Sequence, residues 1–330
     1  MNNLVTGGTG FIGSFIAEEL VKRGERVKAL VRRTSNTKFL RSLGVELCYG
    51  DLSDAASISL AVKGADRVFH SAAMVGDWVP REDAYRINVD GTRFLLNASL
   101  GEKVKRFIFV SSLAVLGMRD HHKTPSDPPA PKTGDVYADS KIDAETLVTE
   151  FAKKNNLPFT VLRPGFVFGP RDDKVIPRMV EFLKKGKYMF VGSGRNKVNM
   201  IYVENFASAI VDAANSEKTL NQVYNITNES GMTMTDVVNM VSDLWGYERP
   251  DKHVPKNIAY TLCGILEFFA RVTKAKEPPL LNKTRMKFLS LNLDFDISKI
   301  KRDLGYRPKI DMMEGLKRTK AWMEQEKISL

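Results

Sequence analysis

A chain of 330 residues is long for one compact core, so a nucleotide-binding domain with a smaller lobe is the natural expectation. With 43% hydrophobic and 27% charged residues it lies outside the disordered and collagen-like classes. A formal net charge of +11 would suit nucleic acid, an anionic membrane surface or a phosphorylated ligand, but without an RNP-like segment, zinc-finger spacing or basic-aromatic repeat no nucleic-acid partner is expected.

The basicity is uneven: residues 251–330 hold 17 Lys/Arg against 10 Asp/Glu. Cys48 and Cys263 are far apart and lack metal-ligand spacing, so neither a disulfide framework nor a metal site is expected, and a reducing cytosol is the simplest setting. No secretory leader is expected ahead of the turn at Gly7, and no apolar run reaches the length of a membrane span.

Residues 3–6 and 26–31 are short apolar runs. Between them Phe11, Ile12, Phe15, Ile16 and Leu20 recur at helical spacing until Gly24, a strand–helix–strand unit. Its turn reads Thr6-Gly7-Gly8-Thr9-Gly10-Phe11-Ile12-Gly13. Gly7 permits the tight turn, Gly10 lets backbone approach a pyrophosphate at the helix N-terminus, and Gly13 allows close helix–strand packing. The second strand ends in Arg32 and Arg33, where an NAD-preferring site would offer a carboxylate to the ribose 2′-hydroxyl. Two guanidinium groups there suit a 2′-phosphate, so NADP is expected ahead of NAD. Asp51 and Leu52, just after the third strand, are placed to flank the adenine, although an Asp there is also a common helix cap.

Further strands are expected at 45–49, 67–71, 106–111 and 158–162, and helices at 54–62, 84–101 and 140–155. The alternation predicts a doubly wound, Rossmann-type parallel sheet. His70, in an apolar strand, reads as a packed core histidine. His121 and His122 read as exposed residues of a long surface loop, 120–134, rich in Pro, Asp and His. Tyr137 and Lys141 are four apart at the start of a helix, so both side chains emerge on one face. An ammonium beside the phenol would lower its pKa from about 10 and make it a proton donor and acceptor near neutrality. Val110-Ser111-Ser112 and Leu162-Arg163-Pro164-Gly165 close the neighbouring strands, at the sheet edge where such folds bind ligands. A strand at 199–203, a helix at 204–215 and a strand at 222–226 read as a return to the sheet. The expected division is a nucleotide-binding domain over 1–165, completed by about 198–227, and a mixed α/β substrate lobe formed by 166–197 and 228–330.

These stretches, with His70-Ser71-Ala72-Ala73, Asn88-Val89-Asp90-Gly91-Thr92, Tyr137-Ala138-Asp139-Ser140-Lys141, Phe166-Val167-Phe168-Gly169-Pro170 and Tyr202-Val203-Glu204-Asn205, resemble the extended short-chain dehydrogenase/reductase family in its own order. The resemblance implies that Tyr137 is the general acid/base, that Lys141 holds the nicotinamide ribose and tunes Tyr137, and that Ser112 binds the substrate oxygen. It places Ser111, Pro164 and Gly165 near the nicotinamide and Ala72 and Ala73 in the cofactor groove. Thr9, Phe11, Ile12, Ser71, Asn88 and Val167 join the cofactor side, with Asn88 read as an architectural residue opening a helix. Met74, Trp78, Leu113 and Phe166 join the substrate side. The same constellation also serves epimerases and dehydratases.

The sugar-nucleotide branch of that family carries an arginine shortly before the motif matched by Tyr202-Val203, and Val198 stands in its place here; Arg195 or Lys197 could substitute. The Val75-Gly76-Asp77-Trp78 turn, Glu277-Pro278-Pro279-Leu280, Phe295-Asp296-Ile297-Ser298-Lys299 and Leu304-Gly305-Tyr306-Arg307-Pro308 are similar to the 3β-hydroxysteroid dehydrogenase, sterol-carboxylate dehydrogenase and dihydroflavonol reductase branch. The substrate implied is a ketone or alcohol on an apolar skeleton, sterol-, β-keto acid- or dihydroflavonol-like. A sugar-nucleotide epimerase or dehydratase is the competing reading, and a non-catalytic NADP sensor a second, which the intact Ser112, Tyr137 and Lys141 disfavour. The apolar stretch 258–272 would make a helix about 22 Å long, short of the roughly 30 Å hydrocarbon core. It is read first as a helix packed in the small lobe or a homodimer contact, and second as a lid or peripheral membrane helix followed by Lys274 and Lys276.

Overall fold

The computed structural model describes every residue except Asp77, Glu229, Ser230, Lys274, Lys276, Leu280, Ser329 and Leu330. The parts of the expectations above that fall on Asp77, Lys274, Lys276 and Leu280 lie outside the described residues.

Short β-branched and aromatic runs alternate with longer amphipathic ones, and the chain folds accordingly. The first half holds β1 (Asn2–Thr6), α1 (Phe11–Lys22), β2 (Arg26–Val31), α2 (Lys38–Ser42), β3 (Glu46–Tyr49), α3 (Ala55–Val62), β4 (Arg67–His70), α4 (Arg81–Tyr85), α5 (Gly91–Gly101), β5 (Arg106–Val110), β6 (His121–Thr124) and α6 (Val136–Lys154). Next come β7 (Phe159–Pro164), β8 (Phe166–Phe168), α7 (Ile176–Lys184), β9 (Phe190–Val191), β10 (Met200–Tyr202), α8 (Val203–Asn215), β11 (Gln222–Ile226) and α9 (Met234–Trp245). The last part holds β12 (His253–Val254), α10 (Lys256–Val272), α11 (Lys283–Ser290), β13 (Leu293–Phe295), α12 (Ser298–Leu304) and α13 (Met312–Gln325).

Seven strands form one parallel sheet in the order β11-β7-β5-β4-β1-β2-β3. Every residue of β4, β5 and β7 is buried, because helices cover both faces. Alternate side chains go to opposite layers. Val5 packs with Ile16, Leu20, Phe206 and Ile210 of α1 and α8, and Leu4 with Ile58, Leu95 and Val148 of α3, α5 and α6. The winding reverses between β1 and β4, which opens a crevice at their carboxyl ends. A further core gathers Ile176, Val180, Val198, Met234, Val238 and Leu316.

Several expectations need correction. Residues 222–226 do join the sheet, but Met200–Tyr202 does not; it pairs in parallel with Phe166–Phe168. Gly165 makes that pairing feasible, since a Cβ there would lie 1.9 Å from the Asn199 carbonyl oxygen. The segment 120–134 is not all surface loop: its β6 pairs with β13. His121 is accordingly buried, contrary to the expected exposure, with its ring nitrogens on the Gly117 carbonyl (2.8 Å) and the Thr124 hydroxyl (3.0 Å), and burial pushes its pKa down. His122 is exposed as expected. Helix α6 begins at Val136, earlier than the apolar spacing indicated, because the Asp135 carboxylate caps the Ala138 amide. In α10 only Ala259 and Cys263 are buried. Ile258, Leu262, Ile265, Phe268, Phe269 and Val272 are exposed, so the stretch is not packed on all sides.

Candidate active site

The turn after β1 is built by close approach. Gly7 has φ +73° and sits so near β4's continuation that a Cβ would lie 2.8 Å from the Ala72 backbone; a Cβ on Gly13 would lie 2.2 Å from the Gly7 carbonyl oxygen. Gly10 opens α1 with no side-chain cap and no acidic residue in the first turn. The amides of Phe11 and Ile12 at this end are thus available to an anion, with the helix dipole behind them. Thr9 is exposed on the same turn. Arg32 and Arg33 are exposed just past β2, Arg33 over the Tyr49 ring at 5.5 Å. The Asp51 carboxyl is held below its ordinary pKa by hydrogen bonds from the Ser53 hydroxyl and amide, then by the field of Arg32. Its oxygen caps Ser53 (2.9 Å to the amide), while Asp54 is the cap of α3. Leu52 is buried against Gly91. A bare helix N-terminus and two cations beyond β2 are the donor set a dinucleotide phosphate requires, so the residues present fit NAD(P).

After β4 the chain runs past the mouth of the crevice. Ser71 donates to the Thr6 carbonyl at 2.8 Å, and Ala72, Ala73 and Met74 are half-buried. His70 is the packed histidine expected: it joins the Thr6 hydroxyl at 2.7 Å to the Thr92 hydroxyl at 2.9 Å, and burial lowers its pKa to about 3. Asn88 does not open a helix. It lies in a π-helical turn, Arg86–Asp90, that joins α4 to α5. Its amide accepts from the Met74 N–H (2.7 Å), donates to the Met74 carbonyl (3.1 Å) and donates to the Ser140 hydroxyl (2.9 Å). The architectural reading fits: Asn88 ties the 71–76 segment to α6.

Tyr137 and Lys141 share the first turns of α6, as their spacing predicts. The Ser112 hydroxyl, which accepts from the Ala114 amide at 3.2 Å, lies within the electrostatic reach of the phenol. Burial raises the Tyr137 pKa, and the Ser112 hydroxyl opposes the rise. The sequence-based expectation of a lowered phenol pKa is therefore not met here. Lys141 donates to the Val110 carbonyl at 2.7 Å and lies 4.1 Å from the Phe109 ring centroid. Burial lowers its pKa from 10.5 to about 7, against the pull of Glu145. Between those two values the unfolded chain holds a proton that the folded chain lacks, so Lys141 makes stability rise with pH across that window. Urea unfolding at pH 7 and pH 9 should show that rise shrink in Lys141→Met; an unchanged difference would remove Lys141 as its source.

Glu145 and Arg163 were missed by the sequence reading. Both are 1% exposed and form an ion pair with two-pronged hydrogen bonding. Ser111, placed near the nicotinamide by resemblance, is buried with its hydroxyl on Glu145 at 2.5 Å. Arg163 also donates to the Asp127 carbonyl at 2.7 Å. The available signals were a lone arginine in an apolar strand and a glutamate four residues after Lys141 on the same helix face.

A cavity of about 230 Å³ has Trp78 and Tyr137 among its walls. Of the substrate-side residues, those two line it. Leu113 packs with Ile142 in a small core, Phe166 meets Phe288 edge-on, and Met74 is held by Asn88. Val167 packs between α1 and α8, and Pro164 ends β7 beside Ile226. Val198 is buried in the smaller core. Lys197 pairs with Asp294 at 2.8 Å, Arg195 is exposed, and neither lines the cavity.

The sequence matches the NAD dependent epimerase/dehydratase family over residues 3–227. It is 31% identical to the 2-alkyl-3-oxoalkanoate reductase of Shewanella oneidensis, over 96% of this chain and 85% of that one. It is 30% identical to the 3beta-hydroxysteroid-dehydrogenase/decarboxylase isoform 1 of Arabidopsis thaliana, over 96% and 78%. Among solved structures, the UDP-glucose 4-epimerase of Thermotoga maritima with UDP-glucose superposes with a TM-score of 0.79 at 25% identity, covering 99% of both chains.

Proposed function

Because the chain belongs to the NAD dependent epimerase/dehydratase family, we propose that it is an NADP-dependent ketoreductase acting on an apolar substrate, with Tyr137, Ser112 and Lys141 as its proton relay. Its relatives make it an NAD(P)-dependent oxidoreductase of the CH–OH/C=O type. The observation that carries the finer reading is Tyr137 in the wall of the cavity, with the buried Lys141 one turn along the same helix.

When bound, the nicotinamide supplies or accepts the hydride. Residues after Gly7, with Arg32 and Arg33, would hold its phosphates. Tyr137 gives the carbonyl oxygen its proton during reduction and takes it back during oxidation, while Ser112 donates to the same oxygen as negative charge develops. Lys141, freed from the Val110 carbonyl, would meet the ribose and lend its charge to the phenolate. The segments 166–197 and 228–330 form the substrate lobe in this reading. Buried Val198 leaves a diphosphate without a clamp at that position, which favours the apolar ketone over the sugar nucleotide. The exposed stripe of α10 suits a lid or a peripheral membrane helix beside the cavity. No described helix is long and apolar enough to cross a membrane.

The test follows absorbance loss as the protein meets NADPH or NADH with aliphatic and polycyclic ketones, and with UDP-sugars. NADPH should be consumed with apolar ketones and not with UDP-sugars. NADH should be disfavoured by somewhat over tenfold per charged contact to the 2′-phosphate, a gap that closes in Arg32→Ala with Arg33→Ala. Micromolar UDP-sugar binding with no ketone turnover would overturn the substrate class, and equal use of NADH and NADPH the cofactor assignment.

A further inference from the structure

Buried side-chain atoms without a hydrogen-bond partner among the described residues occur on Ser99, Arg171, Asn199, Asn225 and Ser242. Such an atom costs free energy in the folded chain, so its place in the fold matters. Four of these residues have a local account. Ser99 and Ser242 lie on α5 and α9, Arg171 pairs with Glu18 through its other terminal nitrogen, and the Asn225 amide nitrogen donates to the Thr124 carbonyl at 3.2 Å. The remaining atom is Oδ1 of Asn199, whose residue is 5% exposed.

Asn199 stands immediately before β10, on a backbone that is pinned on both sides. Its carbonyl accepts from the Phe166 amide at 2.7 Å, the Val198 amide donates to the Met232 carbonyl at 2.9 Å, and the Met200 carbonyl accepts from the Asn228 amide at 2.8 Å. Val198 and Met200 turn into the smaller core. Ile201 lies opposite Val167 in the pairing of β10 with β8, and both pack in the layer of α1 and α8. Side chains alternate along a strand, so the Asn199 amide turns to the side of Ile201 and Val167, next to Gly165. A Cβ built on Gly165 would lie 3.4 Å from the Asn199 Cβ. Val167 also packs in the cluster that holds Phe11, the first residue of α1.

We propose that Asn199 is a cofactor-binding residue whose side-chain amide takes the carboxamide of the nicotinamide. This rests on the reading of Gly165 and Val167 as part of the cofactor groove. Each of the two amides offers one acceptor oxygen and one donor NH2, so they are complementary. Holding the carboxamide fixes the rotation of the ring and with it the face from which hydride moves, and a side chain on a pinned strand is suited to that task.

Asn199→Leu and Asn199→Ala test the contact in two measurements. The first is calorimetric titration with NADP⁺ and with 2′-phospho-ADP-ribose, the same molecule without its nicotinamide. Both variants should bind NADP⁺ more weakly than the parent by about fivefold or more, and 2′-phospho-ADP-ribose equally well. The parent's preference for NADP⁺ over its 3-acetylpyridine analogue, in which methyl replaces the carboxamide NH2, should shrink in both. The second is urea unfolding without cofactor. At least one variant should unfold at no lower urea concentration than the parent, because it removes an orphaned polar group, whereas an amide that served the fold would be missed. Unchanged NADP⁺ affinity, an equal loss with both ligands, an undiminished preference over the analogue, or a clear loss of stability in both variants overturns the contact. NAD⁺ and ADP-ribose form the same test pair for a parent that prefers the unphosphorylated cofactor. A parent that binds neither dinucleotide overturns the contact and the cofactor reading together, while variants that match a dinucleotide-binding parent sink the contact alone.

Discussion

Tyr137→Phe should abolish turnover while leaving NADPH binding nearly intact. The ring that lines the cavity stays, and only the transferable phenolic proton goes. Positioned acid–base groups contribute about 10²- to 10⁴-fold to rate, so kcat should fall by that order in steady-state NADPH oxidation. The Kd for NADPH, read by fluorescence titration, should move little. A variant that turns over like the parent would take Tyr137 out of the relay. One that lost cofactor binding to the same extent would make the tyrosine a structural wall instead. Ser112 keeps its bond from the Ala114 amide in the variant, which limits collateral disorder on that side.

Glu145→Gln should be the most destabilising single change near the site. The carboxylate and Arg163 are both almost completely excluded from solvent, and Ser111 donates to the same carboxylate. Removing one member of a buried pair leaves the other charge uncompensated, which costs about 3 to 5 kcal/mol. Urea denaturation should show that loss, and adding Arg163→Met should restore part of it by removing the orphaned guanidinium. A loss below about 1 kcal/mol in the single variant would mean that Arg163 finds other partners, with the Asp127 carbonyl the first to consider.

The strand–turn–helix opening, the order of alternating elements and the face shared by Tyr137 and Lys141 were all legible in the sequence. Each depends on local rules: a glycine where the backbone approaches within contact distance of Ala72, apolar residues at helical or strand spacing, and side chains four residues apart on one turn. The same rules located His70, since a histidine inside an apolar run must be buried with its neighbours.

Other features were settled only when distant segments met. His121 looked exposed because its neighbours are polar, yet its strand is completed by Leu293–Phe295, far along the chain. Residues 199–203 have the apolar character of a sheet strand, but Gly165 gives them a different partner. The stretch 258–272 has an apolar face that periodicity can identify, and only packing shows that most of that face is left uncovered. The Glu145–Arg163 pair and the meeting of Arg271, Lys283 and Lys287 with Tyr137 around one cavity are of the same kind. Backbone sterics and periodicity act over a few residues and are written in the sequence directly. Burial, charge pairing and the direction of a pKa shift depend on which remote groups come within a few ångströms, and the tertiary structure alone decides that.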